Sequence, residues 1–157
     1  MQLLADKARP RETGGTFMGY HAKDDVVVTA ITGPGPGAVH GRDSFVPDYA
    51  YQDAEIARIY AASGRRHTYL GDWHTHPGGG SSLSRKDKRA LCAISHHQPA
   101  RVATPIIGIL AGGAPWRLTV WRYVPGQLKK WRLFRRYAEM SVATYRNLRN
   151  KSPEGLC

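Results

Sequence analysis

Five residues of chemically capable types fall at a telling spacing: Glu12, His74, His76, Ser84 and Asp87. His74 and His76 stand two apart in Trp73-His74-Thr75-His76-Pro77. On a strand, residues two apart project from the same face, so both imidazoles can aim at one point. Asp87 lies eleven residues beyond His76, and Gly78-Gly79-Gly80 between them is a flexible loop that lets the chain turn back. Two imidazoles and one carboxylate suit one Zn2+ ion and leave its fourth tetrahedral position to water, whereas a structural site would be closed by four protein ligands. Zinc lowers the pKa of water towards about 7. Amide hydrolysis then needs a proton carrier, and Glu12 is the candidate. It sits in a turn just before a strand, and Gly14-Gly15 permits close backbone approach. Its carboxylate could take a proton from water and return it to a departing nitrogen. Ser84 could donate a hydrogen bond to the developing oxyanion. Ser84-Arg85-Lys86-Asp87 is also a capping-box pattern, with Ser at the N-cap and an acid at N3, and the two roles are compatible.

The elements that must position these groups are legible as a mixture of strands and helices. Thr16 to Tyr20 reads as a strand after the turn at Pro10-Arg11-Glu12-Thr13-Gly14-Gly15. Val26 to Ile31 is a β-branched run suited to a buried strand. Gly33-Pro34-Gly35-Pro36-Gly37 breaks it, and a polar loop is expected to follow through about Ser44. Tyr49, Gln52, Asp53, Ile56, Ile59 and Tyr60 recur at helical spacing over 48–63, and Gly64 is placed to end that helix. Thr68 to His74 is a short strand, and Ser84 to about His97 a second helix. Thr104 to Leu110 and Trp116 to Val124 are strands separated by Gly112-Gly113. Residues 128–151 read as a helix with Trp131, Phe134, Ala138, Val142, Tyr145 and Leu148 along one side. Such a chain implies a single α/β (α+β) domain, a mixed sheet with flanking helices. The expected division is 1–128 for the domain and 129–157 for a basic C-terminal helix packed on it, with a short tail. Little chain precedes Pro10, so any strand there is expected to be missing or very short.

The pattern resembles the JAMM (MPN-positive, JAB-domain) zinc metalloproteases. That family's motif is an upstream Glu, then His-x-His-Pro, six residues, Ser, two residues and Asp. Here it reads His74-Thr75-His76-Pro77, six residues, Ser84, Arg85-Lys86, Asp87, without departure. Glu12-Thr13-Gly14-Gly15 and Gly19-Tyr20 resemble the family's Glu-containing turn and strand, and the resemblance covers about residues 8–124. It implies metal ligands His74, His76 and Asp87, acid/base Glu12, and oxyanion helper Ser84. It also implies a curved mixed sheet similar to that of cytidine deaminases. Within the family the chain is most similar to the stand-alone bacterial deconjugating peptidases of CBASS antiphage operons. These release a cyclase C-terminus from a lysine amine without ubiquitin itself. The short N-terminal segment departs from the family, which usually carries a strand and most of a helix there.

Rival zinc chemistries fit poorly. The deaminase signature of His-x-Glu with Pro-Cys-x-x-Cys is absent, as is the helical His-Glu-x-x-His. A metallo-β-lactamase would want Asp where Gly78 stands. Two alternatives to an isopeptidase remain: a peptidase trimming the tail of a ubiquitin-like or sulfur-carrier protein, and a RadC-like nucleic-acid-associated or non-catalytic scaffold. RadC-like chains resemble His-x-His-Asn-His-Pro, with a further His that this chain lacks.

The 157 residues suffice for one domain with a real core. Lys plus Arg exceeds Asp plus Glu by 23 − 12 = 11, which favours acidic partners. Eight of those basic residues fall within 129–151, beside a single acid. That pattern reads as a solvated amphipathic helix or a docking face for an acidic protein, and nucleic acid is not expected without a recognition motif. No apolar run is long enough to span a bilayer and no signal-peptide core is present, so the expected location is cytoplasmic. Cys92 and Cys157 form no disulfide framework. Trp73 and Cys92 read as core, His96-His97 as a pair at a helix end, and His21, His40 and His67 receive no role.

Overall fold

A computed structural model of the chain describes residues 1–125 and 137–145. Gln2–Ala8 form α1, Gly14–Ala22 β1, Asp25–Ile31 β2, Val39–His40 β3, Phe45–Val46 β4 and Tyr49–Ala62 α2. Thr68–Pro77 form β5, Arg85–His96 α3, Ile106–Gly112 β6, Trp116–Tyr123 β7 and Tyr137–Met140 β8. Six strands make one mixed sheet in the order β2-β1-β5-β6-β7-β8, and β3 and β4 pair as a separate small hairpin. Every neighbouring pair in the large sheet is antiparallel except β5 and β6. That parallel pair is joined through α3, as a parallel crossover requires. Register shifts at Phe17/Met18 and Met18/Gly19 leave Leu70 of β5 and Thr29 of β2 as extra residues opposite β1, β-bulges of the kind by which a strand bends. The α+β class and single-domain mixed sheet expected from the sequence are what the chain forms.

The core explains why β5 carries the site. Residues 106–111 of β6 are all buried, as expected for a central strand covered on both faces. On one face, Ala5 of α1 packs with Leu110 and Trp116, while Met1 and Leu4 flank Phe17, Leu70, Trp73 and Ile106. On the other, Leu91 of α3 packs with Ile107 and Tyr123, and half-buried Cys92 joins them. Trp73 is core, 1% exposed, with its indole N–H donated to the Thr32 carbonyl at 3.1 Å. Asp48 caps α2 through the Tyr51 N–H, and Gly64 follows its C-cap at φ +65°. Among the described residues no helix is long and apolar enough to cross a membrane.

Helix α1 occupies the stretch before Pro10, where any strand was expected to be missing or very short. Two expectations need correction. The run at 26–31 forms a strand, but at the edge of the sheet and with none of its residues fully buried. The helix expected over 128–151 falls largely on residues outside the described ones, and where that stretch is described it is not helical. Tyr137–Met140 instead run antiparallel to β7, with Trp121 opposite Glu139 and Tyr123 opposite Tyr137. Met140 packs against the Phe17–Leu70–Trp73 cluster and Tyr137 against Leu91–Ile107–Tyr123, on opposite faces as strand geometry demands. Val142 and Tyr145, assigned to a buried helical side, are exposed. The physical reason is the open edge of β7, whose N–H and C=O groups a strand pairs and a helix cannot.

Candidate metal centre and active-site cleft

Strand β5 delivers both histidines. Alternation buries Trp73 and Thr75 towards α1 and sends Asp72, His74 and His76 to the side of α3. His74 Nε2 and His76 Nε2 lie 2.9 Å apart. Asp87, in the first turn of α3 and 7% exposed, places Oδ1 3.3 Å from His74 Nε2 and Oδ2 3.9 Å from His76 Nε2. The three donor atoms all fall within 4.8 Å of one another. The His76 Nδ1–H is donated to the Gly80 carbonyl at 2.9 Å, which turns the lone pair of Nε2 towards Asp87. Two imidazole nitrogens this close, facing one carboxylate, are a donor set that a cation fits.

The turn between β5 and α3 is built rather than loose. Gly78 sits at φ +72°, a conformation that favours glycine, and its N–H is donated to the Gly112 carbonyl at 2.6 Å. Ser84 and Asp87 complete the capping box. The Asp87 N–H is donated to Ser84 Oγ at 3.2 Å and the Ser84 N–H to Asp87 Oδ2 at 2.7 Å. Burial alone would raise the Asp87 carboxyl, but hydrogen bonds from His74 and Ser84 outweigh it and hold the group well below the ordinary carboxylate range.

Glu12 reaches the same cleft from the other side. Gly14 pairs with His74 and Gly15 with Trp73 across β1 and β5. Thr13 extends that ladder: its N–H is donated to Thr75 Oγ1 at 2.9 Å, and its carbonyl accepts the Thr75 N–H at 2.8 Å. A Cβ on Gly14 would collide with the Trp73 carbonyl and the Phe45 ring, and one on Gly15 with Thr32. The double glycine is therefore what lets this turn lie against the histidine strand. Burial raises the pKa of half-buried Glu12, while the electrostatic influence of His74 and His76 pulls the other way.

These groups share a cleft of about 670 Å³, walled by α2 through Tyr49 and Gln52 and by α3 through Ser84, Arg85 and Lys86. All five residues singled out in the sequence thus line one cavity. Six residues at or behind this cleft are not singled out by the sequence. His40 donates from Nδ1 to the Glu12 carbonyl at 2.8 Å. Arg42, Asp43, Ser44 and Phe45 come from the hairpin β3–β4, where only a loop was expected. The pairs Val39-His40 and Phe45-Val46 around Gly41-Arg42-Asp43-Ser44 were the signal for it. Asp72, two residues before His74 on the same face of β5, accepts the Tyr69 hydroxyl at 2.8 Å, and burial raises its carboxyl to about 6.

Fold and site together define a mixed-sheet domain with a His74-His76-Asp87 cluster that could hold a metal ion, facing an open cleft. The chain belongs to the prokaryotic homologs of the JAB domain, the family that matches residues 2–135. It is 41% identical over 147 residues to the probable metalloprotease y4qB of Sinorhizobium fredii, covering 90% of this chain and 88% of that one. It is 30% identical over 112 residues to a CD-NTase/cGAS isopeptidase of Enterobacter hormaechei, covering 68% of this chain and 58% of that one. A CD-NTase/cGAS isopeptidase of Escherichia coli matches over 66 residues at 32% identity, covering 42% of each chain. The matched stretch therefore spans about half the length of these isopeptidases. The solution structure of protein DSY2949 from Desulfitobacterium hafniense shares the fold, with a TM-score of 0.63 at 19% identity, covering 95% of this chain and 90% of that one.

Proposed function

We propose that the chain is a zinc-dependent isopeptidase that hydrolyses the amide between a protein C-terminus and a lysine amine, releasing a cyclase or ubiquitin-like conjugate in a bacterial antiphage system. The carrying observation is the convergence of His74 Nε2, His76 Nε2 and Asp87 on one point of a cleft that Glu12 also lines. Family membership and the names of the isopeptidase relatives support the reading.

His74, His76 and Asp87 would hold the ion, and a two-nitrogen, one-oxygen set with an open cleft side suits catalytic zinc better than a closed structural site. Bound there, zinc supplies a polarised scissile carbonyl and water whose pKa is lowered towards about 7. Glu12 takes one proton from the attacking water and gives it to the departing lysine nitrogen, leaving a free C-terminal carboxylate and a free amine. A raised carboxyl pKa suits a group that must hold that proton between the two steps. The Ser84 oxygen already accepts from Asp87, so its own hydrogen is available for the carbonyl oxygen as negative charge builds. Arg42, Arg85 and Lys86 line the cleft, which supports an acidic tail or an acidic partner as the occupant.

The test is incubation of the purified protein with an isopeptide conjugate, with zinc content measured on the same sample. Chelator and Glu12→Gln serve as controls. Cleavage that needs both zinc and Glu12 and frees a lysine amine is the expected result. Cleavage confined to linear tails would replace this reading with a processing peptidase.

A further inference from the structure

Glu12 is proposed above as the proton carrier, and its aim is set by its own backbone. The peptide planes on both sides of its Cα are pinned. The Glu12 N–H is donated to the Gly41 carbonyl at 2.7 Å. In the following plane, the Glu12 carbonyl accepts from His40 Nδ1 at 2.8 Å while the Thr13 N–H is donated to buried Thr75 Oγ1 at 2.9 Å. Fixing both planes fixes φ and ψ of Glu12 and so the direction of its Cα–Cβ bond.

Two of those three restraints come from the hairpin β3–β4 and one from the histidine strand. The hairpin is itself locked to the turn. His40 pairs with Phe45, their rings tilted at 5.6 Å between centroids. The Phe45 ring fills the space that a Gly14 Cβ would take. The Gly41 N–H is donated to the Ser44 carbonyl at 2.8 Å. A carbonyl oxygen can only accept, so the proton must sit on His40 Nδ1.

We propose that His40 is a positioning residue for the reaction: its Nδ1–H holds the Glu12–Thr13 peptide plane and thereby points the Glu12 carboxylate into the metal cleft. It touches neither substrate nor the reacting atoms. The inference rests on the isopeptidase reading for its catalytic consequence and on hydrogen bonds alone for its structural one.

The test compares His40→Ala and His40→Asn in the zinc-loaded protein, the Asn side-chain amide replacing the Nδ1–H donor. We expect His40→Ala to lower kcat by about 10- to 100-fold, the scale of a misplaced catalytic group. KM and zinc content should stay at wild-type values. His40→Asn should recover kcat to within about threefold, since the charge-free donor geometry is kept. Wild-type kcat in His40→Ala overturns the proposal, and so does equal loss in both variants, which would assign the effect to packing against Phe45. If the wild type cleaves no conjugate, the isopeptidase reading fails on its own, and hydrogen exchange at the Thr13 amide then decides the clamp. Faster exchange in His40→Ala than in His40→Asn upholds it, and identical exchange refutes it.

Discussion

Ser84 and Asp87 satisfy each other's backbone N–H groups, at 3.2 Å to Ser84 Oγ and 2.7 Å to Asp87 Oδ2, and the same carboxylate faces His74 and His76. The cap that starts α3 and the acidic corner of the proposed metal site are thus one structure. A helix needs an N-cap acceptor for stability, and here that need also fixes where the third donor points.

Ser84→Ala separates the two roles. Loss of the cap should cost about 1 kcal/mol of stability. Loss of an oxyanion donor should lower kcat by about 10²- to 10³-fold. Thermal unfolding and turnover measured together check this. A small stability loss with unchanged kcat would leave Ser84 as a cap alone.

Glu12→Gln should abolish turnover by about 10²- to 10⁴-fold while zinc stays bound, because the residue is proposed as proton carrier and not as ligand. Burial raises the Glu12 pKa. The acid limb of the wild-type kcat/KM profile should therefore lie above the ordinary glutamate value and vanish in the residual activity of Glu12→Gln. Residual activity within about tenfold of wild type removes Glu12 from that role.

His76→Ala should lose zinc as well as activity, read by metal analysis after dialysis. Without this imidazole, His74 and Asp87 offer only two donors. Full zinc occupancy in His76→Ala would refute the ligand set.

Charge reversal at Arg42 and Arg85 together should raise KM for an acidic conjugate by about tenfold at low salt, two exposed contacts each being worth up to about 1 kcal/mol. Salt should shrink the difference. A KM indifferent to both charge and salt would make these residues solubilising only.

Asp72 gives a stability prediction with a definite sign. Its carboxyl is raised from 3.8 to about 6 by burial, opposed by the Tyr69 hydrogen bond and by His74. The unfolded chain releases this proton near pH 4 and the folded one near pH 6, so stability is lost as pH rises through that window. Asp72→Asn should therefore unfold at a higher temperature than wild type at pH 7.5 in metal-free protein, and at the same temperature near pH 3.5. An equal Tm at both values would show that the carboxylate is solvated in the folded state.

What the sequence by itself determined is whatever short-range geometry controls. The period of two puts His74 and His76 on one face, and the Ser84-to-Asp87 spacing makes a cap. The run at 26–31 becomes a strand, and the 48–63 periodicity becomes a helix stopped by Gly64. Tertiary structure alone decided what lies across from these elements. Glu12 meets the histidine strand because β1 and β5 pair with Gly14 opposite His74. His40 is informative only once the hairpin folds back on Glu12, and Asp72 becomes titratable in an unusual range only once the sheet and Tyr69 withdraw it from water. Residues 137–140 carried helical spacing and became strand, because the edge of β7 offered a row of backbone donors and acceptors to satisfy. Side-chain period is a property of a few consecutive residues, whereas pairing register and burial depend on partners tens of residues away.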